Sequence, residues 1–192
     1  MEKTSQTRLV ILLLFITVIV GLRVIAPLSP DFKVIANFSG LGAVAIFSGS
    51  YFRYKFSGFV FPMLVLLLSD LALGLTMGTG YAFYSGWYYT YIAFAAMILV
   101  GQVFVKNVNV QNVAMASVVG VFIHWIVSDF GVWLGSGFYP QTLAGFGACL
   151  IAAIPFELRF LSGTVVYSAL MFATFEMLKS RYPSLSNHSA LA

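Results

Sequence analysis

Long apolar runs, separated by short polar or glycine- and proline-bearing stretches, divide the 192-residue chain. The runs lack the two-residue alternation of a barrel strand, and most approach the about 20 residues that a helix needs to cross roughly 30 Å of hydrocarbon. They predict membrane-spanning helices at about 8–26, 38–52, 58–77, 86–105, 112–134 and 158–179. Lys3 and Arg8 ahead of the first run, with Val24-Ile25-Ala26 at its end, have the outline of a signal peptide. Arg23 inside the run and Pro27 directly after Ala26 argue against cleavage, so the run is retained as a span. Residues 142–155, "TLAGFGACLIAAIP", are apolar but short and glycine-rich. They read as a re-entrant or short helical loop before the last helix. The expectation is a six-transmembrane-helix bundle forming one domain over 1–179, followed by a short cytoplasmic tail, 180–192.

Composition changes the picture by fixing the solvent. The chain is 60% hydrophobic and 8% charged, with a mean hydropathy of +0.96, far from the roughly 25% charged content of a soluble domain. It reads as an all-α integral membrane protein whose first partner is the lipid bilayer. The net charge of +4 belongs to segment ends and signals topology, so no nucleic-acid partner is expected. With six spans and a cytoplasmic N-terminus, Lys3, Arg8, Arg53, Lys55, Lys106, Lys179 and Arg181 fall inside and Arg23, Lys33 and Arg159 outside. Seven crossings would weaken that asymmetry. Both termini are therefore expected on the cytoplasmic side of a bacterial inner membrane, in a multi-pass arrangement.

Against this background the carboxylates stand out. Asp70 interrupts "LLLSDLALGLTMG" and Asp129 interrupts "IVSDFGVWLGSG". At 1.5 Å per residue Asp70 lies roughly 10 Å below the outer end of its span, and Asp129 near the outer end of its own. Arg23, Glu157 and Arg159 fall at the same level, so the unusual charges converge on one leaflet. Charged groups at such depth face the bundle interior, pair with each other or line a cavity. An Arg23–Asp70 or Asp129–Arg159 ion pair, or for Asp129 simple exposure at the interface, is the structural alternative to a ligand site. The stretch 77–90 mixes Gly78, Gly80 and Gly86 with Tyr81, Phe83, Tyr84, Trp87, Tyr88 and Tyr89. This is flexible backbone carrying aromatic surface, suited to a lid over an organic ligand, although an interfacial belt would claim part of it. Trp125, Asp129 and Trp133, spaced by four, share a helix face. His124 lies about 140° from Asp129 around the helix and reads first as a packed core histidine.

Enzymatic function is not expected. The chain has no HExxH, no GxSxG and no GxxxxGK[ST] phosphate loop. The single Cys149 excludes an internal disulfide and a cysteine-based zinc site, and neither a metal nor a cofactor is expected. Small residues in "NFSGLGAVAIFSGSYF", with Ser39 and Ala43 or Ala45 and Gly49 spaced by four, favour close helix packing.

The succession "NFSGLGAVAIFSGSYF", "FPMLVLLLSDLALG", "SDFGVWL", "YPQTLAGFGACLIAAIPF" and "VVYSALMF" resembles small bacterial membrane proteins related to the S components of energy-coupling-factor vitamin transporters, including BtuM-type solitary cobalamin transporters. The resemblance covers about 23–175. It implies a six-helix bundle holding a vitamin in its outer half, with Asp70, Tyr84, Tyr88 and Arg159 facing the ligand; Asp129 joins them from its depth. The implied function is a substrate-binding transporter for a vitamin-like organic molecule, with cobalamin or a related corrinoid as a candidate transported substrate. Cobalamin-binding members place a cobalt-ligating cysteine in the loop after the third span, whereas 77–90 contains none and Cys149 lies elsewhere. Thiolate-assisted removal of cyanide from cobalt is therefore not expected. The first span also lacks the Ala-xxx-Ala pattern by which many S components dock on a partner, so an energy-coupling module is not indicated. The competing expectations are a proton- or ion-coupled carrier in which Asp70 and Asp129 titrate, and a non-transporting membrane assembly factor.

Overall fold

A computed structural model describes residues 17–21, 23–25, 28, 38–52 and 56–181. Lys3, Arg8, Lys33, Arg53, Lys55 and the tail beyond 181 lie outside the described residues, as does most of the first half of the expected first span. Residues 17–21 and 23–25 are helical. They are followed by α1 (Leu41–Tyr51), α2 (Ser57–Met77), α3 (Thr79–Ala82), α4 (Trp87–Phe104), α5 (Val110–Ser136) and α6 (Leu143–Arg181). Among the described residues there is no strand. Four helices are long and apolar enough to cross a membrane, namely α4, α5, α6 and Gly58–Met77 of α2. The chain is an all-α membrane protein.

The expected span at 38–52 takes a different form. Helix α1 has 11 residues and is about 17 Å long, too short to cross the hydrocarbon core. It is instead the centre of the bundle, buried continuously from Leu41 to Gly49, and it packs against α2, α4, α5 and α6. Its apolar run therefore reflects burial in protein rather than contact with lipid. Small residues make this possible. A Cβ at Gly49 would lie 2.0 Å from the Ile98 carbonyl oxygen, and one at Gly101 would lie 2.3 Å from that of Ile46. The backbones of α1 and α4 thus approach through glycine from both sides.

Helix α2 shows how one run serves two solvents. Leu64, Leu68, Leu71 and Leu75, at successive spacings of four, three and four, are exposed along one stripe, while Leu66, Ser69, Asp70 and Leu73 are buried opposite. Helix α5 begins with Asn109, whose side chain accepts from the Asn112 amide at 2.8 Å, a standard N-cap. It ends at Gly137 in the left-handed region, φ 69°. The Trp133 indole donates to the Pro140 carbonyl at 2.8 Å, which ties the following turn to α5.

The expected loop at 142–155 and last span at 158–179 are one element. Helix α6 runs unbroken for 39 residues through Pro155, and Thr142 Oγ1 accepts from the Gly145 amide at 3.1 Å at its start. Proline removes one helical hydrogen bond, but helices within membranes absorb that loss, and the segment stays apolar across Pro155. Glycine and proline marked a boundary in the sequence that the chain does not use.

Candidate functional site

A cavity of about 260 Å³ opens between the helices towards one end of the bundle. Its walls are Asp70 and Leu73 of α2, Trp87, Thr90, Tyr91 and Phe94 of α4, His124, Ser128, Asp129 and Val132 of α5, and Phe156, Glu157 and Phe160 of α6. Arg23, Ser39 and Leu41 close one side, and Tyr81, Ala82 and Tyr84 cover it.

The deepest polar feature is an ion pair. Asp70 is 5% exposed; its Oδ1 lies 2.6 Å from Arg23 Nη1, and its Oδ2 accepts from the Tyr91 hydroxyl at 2.8 Å. Arg23 also donates to Ser69 Oγ, which itself donates to the Leu66 carbonyl. Both Asp70 oxygens are thus engaged by the protein, and the arrangement joins the first helical segment to α2 and α4.

A second pair lies across the cavity. His124 Nδ1 is 3.3 Å from Glu157 Oε1 and 3.4 Å from Oε2. The imidazole is held between the Phe94 and Phe160 rings, with centroids 5.2 Å and 4.6 Å away. His124 is therefore both packed among aromatics and aimed at a carboxylate. Asp129 differs from the other acids. Its carboxylate lines the cavity but has no hydrogen-bonding or ion-pair partner among the described residues; only its backbone carbonyl is engaged, by Cys149 Sγ at 3.7 Å. The neighbouring indoles are engaged elsewhere, since Trp125 donates to the Leu150 carbonyl of α6 and Trp133 to that of Pro140 in the preceding turn.

The cover is more ordered than the glycine-rich sequence implied. Residues Thr79–Ala82 form the short helix α3. Gly86, at φ 91°, presses against α5 so closely that a Cβ there would lie 2.4 Å from the Gly131 carbonyl oxygen. Gly78, at φ 97°, has open space around it, so the freedom of this segment is concentrated at its start. The Tyr84 hydroxyl shares a hydrogen bond with Thr90 Oγ1 at 2.7 Å. Burial pushes its phenol above the ordinary range, leaving Tyr84 a neutral hydrogen-bonding group at physiological pH.

Of the residues marked in the sequence, Asp70, Tyr84 and Asp129 meet at this cavity. Tyr88 and Arg159 do not line it. Tyr88 is 51% exposed and stacks obliquely on Tyr89, while the Arg159 guanidinium lies 5.9 Å from the Phe156 ring centroid. No Asp129–Arg159 pair forms. Glu157 replaces Arg159 at the cavity for a geometric reason: residues two apart on a helix point about 200° apart, so only one can face inward. That signal was available in the sequence. The His124–Glu157 pairing was not, because it depends on how α5 and α6 cross. No group of three or more His, Cys, Asp or Glu side chains arranged to hold a metal occurs among the described residues.

A family profile described as "Family of unknown function (DUF6580)" matches residues 3–185. No curated protein matches the chain, and neither does any solved structure.

Proposed function

The chain belongs to the DUF6580 family of unknown function, and for this member we propose a membrane transporter that binds a small vitamin-like organic molecule in the outer cavity. The observation that carries this reading is the cavity itself: aromatic rings of Tyr84, Trp87, Tyr91 and Phe94 surround a few convergent polar groups inside an apolar bundle. That combination is the usual anatomy of a small-molecule site. A purely structural bundle has no reason to leave a carboxylate such as Asp129 unpaired at such a space. The resemblance to energy-coupling-factor S components and BtuM-type transporters points the same way. A cavity of about 260 Å³ lies just below the roughly 300–1,000 Å³ typical for drug-sized ligands. The size favours a compact molecule over a corrinoid, which would require the cover around Gly78 to swing away.

The proposed topology is six crossings in a bacterial inner membrane with both termini cytoplasmic, the short α1, sheathed by the other helices, lying on the connection that returns the chain to the opposite face. Labelling of Ser186→Cys on a Cys149→Ser background from the cytoplasmic side alone would agree with it, and periplasmic labelling would overturn it. For function, the direct test is a thermal-shift screen of the purified protein against water-soluble vitamins and corrinoids, since a ligand that binds only the folded state raises its midpoint. Failure of every compound to shift the midpoint, together with absence of uptake in cells overexpressing the chain, would refute ligand transport. The second reading, a proton-coupled carrier, is favoured by one observation, the sharing of a single cavity by Asp129 and Glu157. It predicts uptake that collapses when the proton gradient is dissipated.

A further inference from the structure

From the balance of charge in the cavity we infer that its ligand is a small organic cation, a protonated amine or a positively charged heteroaromatic ring. The inference rests on the cavity being the binding site proposed above. Among the described residues, three carboxylates line it, Asp70, Asp129 and Glu157, against one arginine, Arg23. Arg23 is already committed to Asp70 at 2.6 Å. Asp129, without a partner among the described residues, and Glu157, met only by His124 at 3.3 Å, are therefore left facing the cavity.

This arrangement selects by sign. An anionic ligand would meet two acidic groups at low dielectric and find no free guanidinium among the described residues, because Arg159, the other described arginine at this level, lies outside the lining. A neutral ligand would leave Asp129 either an unpaired carboxylate or obliged to take up a proton, and would gain nothing from its charge. A cation removes both penalties: it supplies Asp129 with its missing partner and offsets the repulsion between Asp129 and Glu157. The remaining lining suits such a ligand too. Trp87, Tyr91 and Phe94 bring ring surface to the same space, and a cation over an aromatic face gains further attraction, most over tryptophan. Trp87 stands edge-on to Tyr91, centroids 5.0 Å apart, so the two rings form a corner rather than a flat wall.

The test uses three probes of one skeleton and nearly one size: 2-phenylethylamine, 2-phenylethanol and phenylacetate, each titrated against the full-length protein in detergent at neutral pH by calorimetry and thermal shift. The amine is expected to bind and to raise the midpoint at concentrations where the alcohol and the acid do not. Asp129→Asn should weaken amine binding by about tenfold or more, the scale of a lost charge-assisted contact, and Glu157→Gln should do so to a lesser degree. Without ligand, Asp129→Asn should leave the midpoint unchanged or raised, because that carboxylate has no partner to lose; this separates binding from folding. Phenylacetate or phenylethanol binding as tightly as the amine would overturn the charge assignment while leaving the cavity as a ligand site. Amine binding indifferent to both substitutions would also overturn it, by placing the cation elsewhere. Absence of binding by all three probes would overturn the inference, and a positive vitamin screen in the same preparation would then leave the transport reading standing.

Discussion

Replacing Asp70 by asparagine removes the charge from the buried end of the Arg23 pair without changing side-chain volume. The consequence can be worked from the contacts. The Tyr91 hydroxyl, which donates to Asp70 Oδ2 at 2.8 Å, finds an amide oxygen in the variant and loses little. The guanidinium of Arg23, with a side chain 20% exposed, keeps the Ser69 hydroxyl but loses its counter-charge at 2.6 Å. Breaking a buried pair by removing one partner costs about 3–5 kcal/mol, mostly the penalty of the charge left behind. Partial exposure of Arg23 puts the expectation at the lower end, about 3 kcal/mol. For a chain of this size 1 kcal/mol shifts the midpoint by about 2–4 °C, so Asp70→Asn should melt about 6–12 °C lower by tryptophan fluorescence in detergent. Arg23→Gln should cost as much or more, because the residue it strands is the more deeply buried. The paired variant Arg23→Met with Asp70→Leu should recover most of the loss, since replacing both charges leaves neither unpaired. A fall of less than about 1 kcal/mol in both single variants, or a double variant as unstable as the sum of the singles, would refute the account of Asp70 as primarily a structural partner.

Removing the Tyr91 hydroxyl by Tyr91→Phe deletes one hydrogen bond to the same carboxylate and should cost about 1.5 kcal/mol, measured in the same melt. Gly101→Leu drives a side chain into the Ile46 carbonyl, where even a Cβ would lie 2.3 Å from the oxygen; the expected result is loss of folded, monodisperse protein on size exclusion, with Leu99→Ala as an exposed control that expresses normally. Arg159→Lys should retain the ligand-induced midpoint shift of the unmodified protein, because the guanidinium sits against Phe156 outside the cavity lining. A lost shift there would move the site outward, towards the start of α6.

The long spans were legible because hydropathy measures what lipid demands. The expected 58–77 and 86–105 agree closely with Gly58–Met77 and Trp87–Phe104. Where the sequence misled, one signal had two physical causes. Residues 41–51 are as apolar as a span, but the solvent they avoid is met by other helices, and only the density of Gly42, Ala43, Ala45 and Gly49 hinted at that. Pro155, after a stretch that opens with Gly145 and Gly147, looks like a break by soluble rules, yet α6 continues because unpaired backbone has nowhere better to go in an apolar surrounding. Convergence of Arg23, Asp70, Asp129 and Glu157 on one level could be counted from helix rise alone. Their partnership could not, since which of two inward groups meet depends on helix rotation and crossing.

The length of α6 has a mechanical side. Its 39 residues make a rod of about 58 Å, and even at the steepest common tilt of about 40° such a rod overshoots a hydrocarbon core of about 30 Å. Beyond Pro155 the same rod carries Glu157 and Phe160 beside the cavity and, five turns further on, Glu176 with its Lys179 and Tyr51 contacts. A swing of about 10° at the proline would displace Glu176 by about 5 Å, given the rise per residue between them. A bend at the cavity end of α6 would thus be magnified at its other end, where Glu176 accepts from the Tyr51 hydroxyl of α1 and so ties the tip of the rod to the bundle centre.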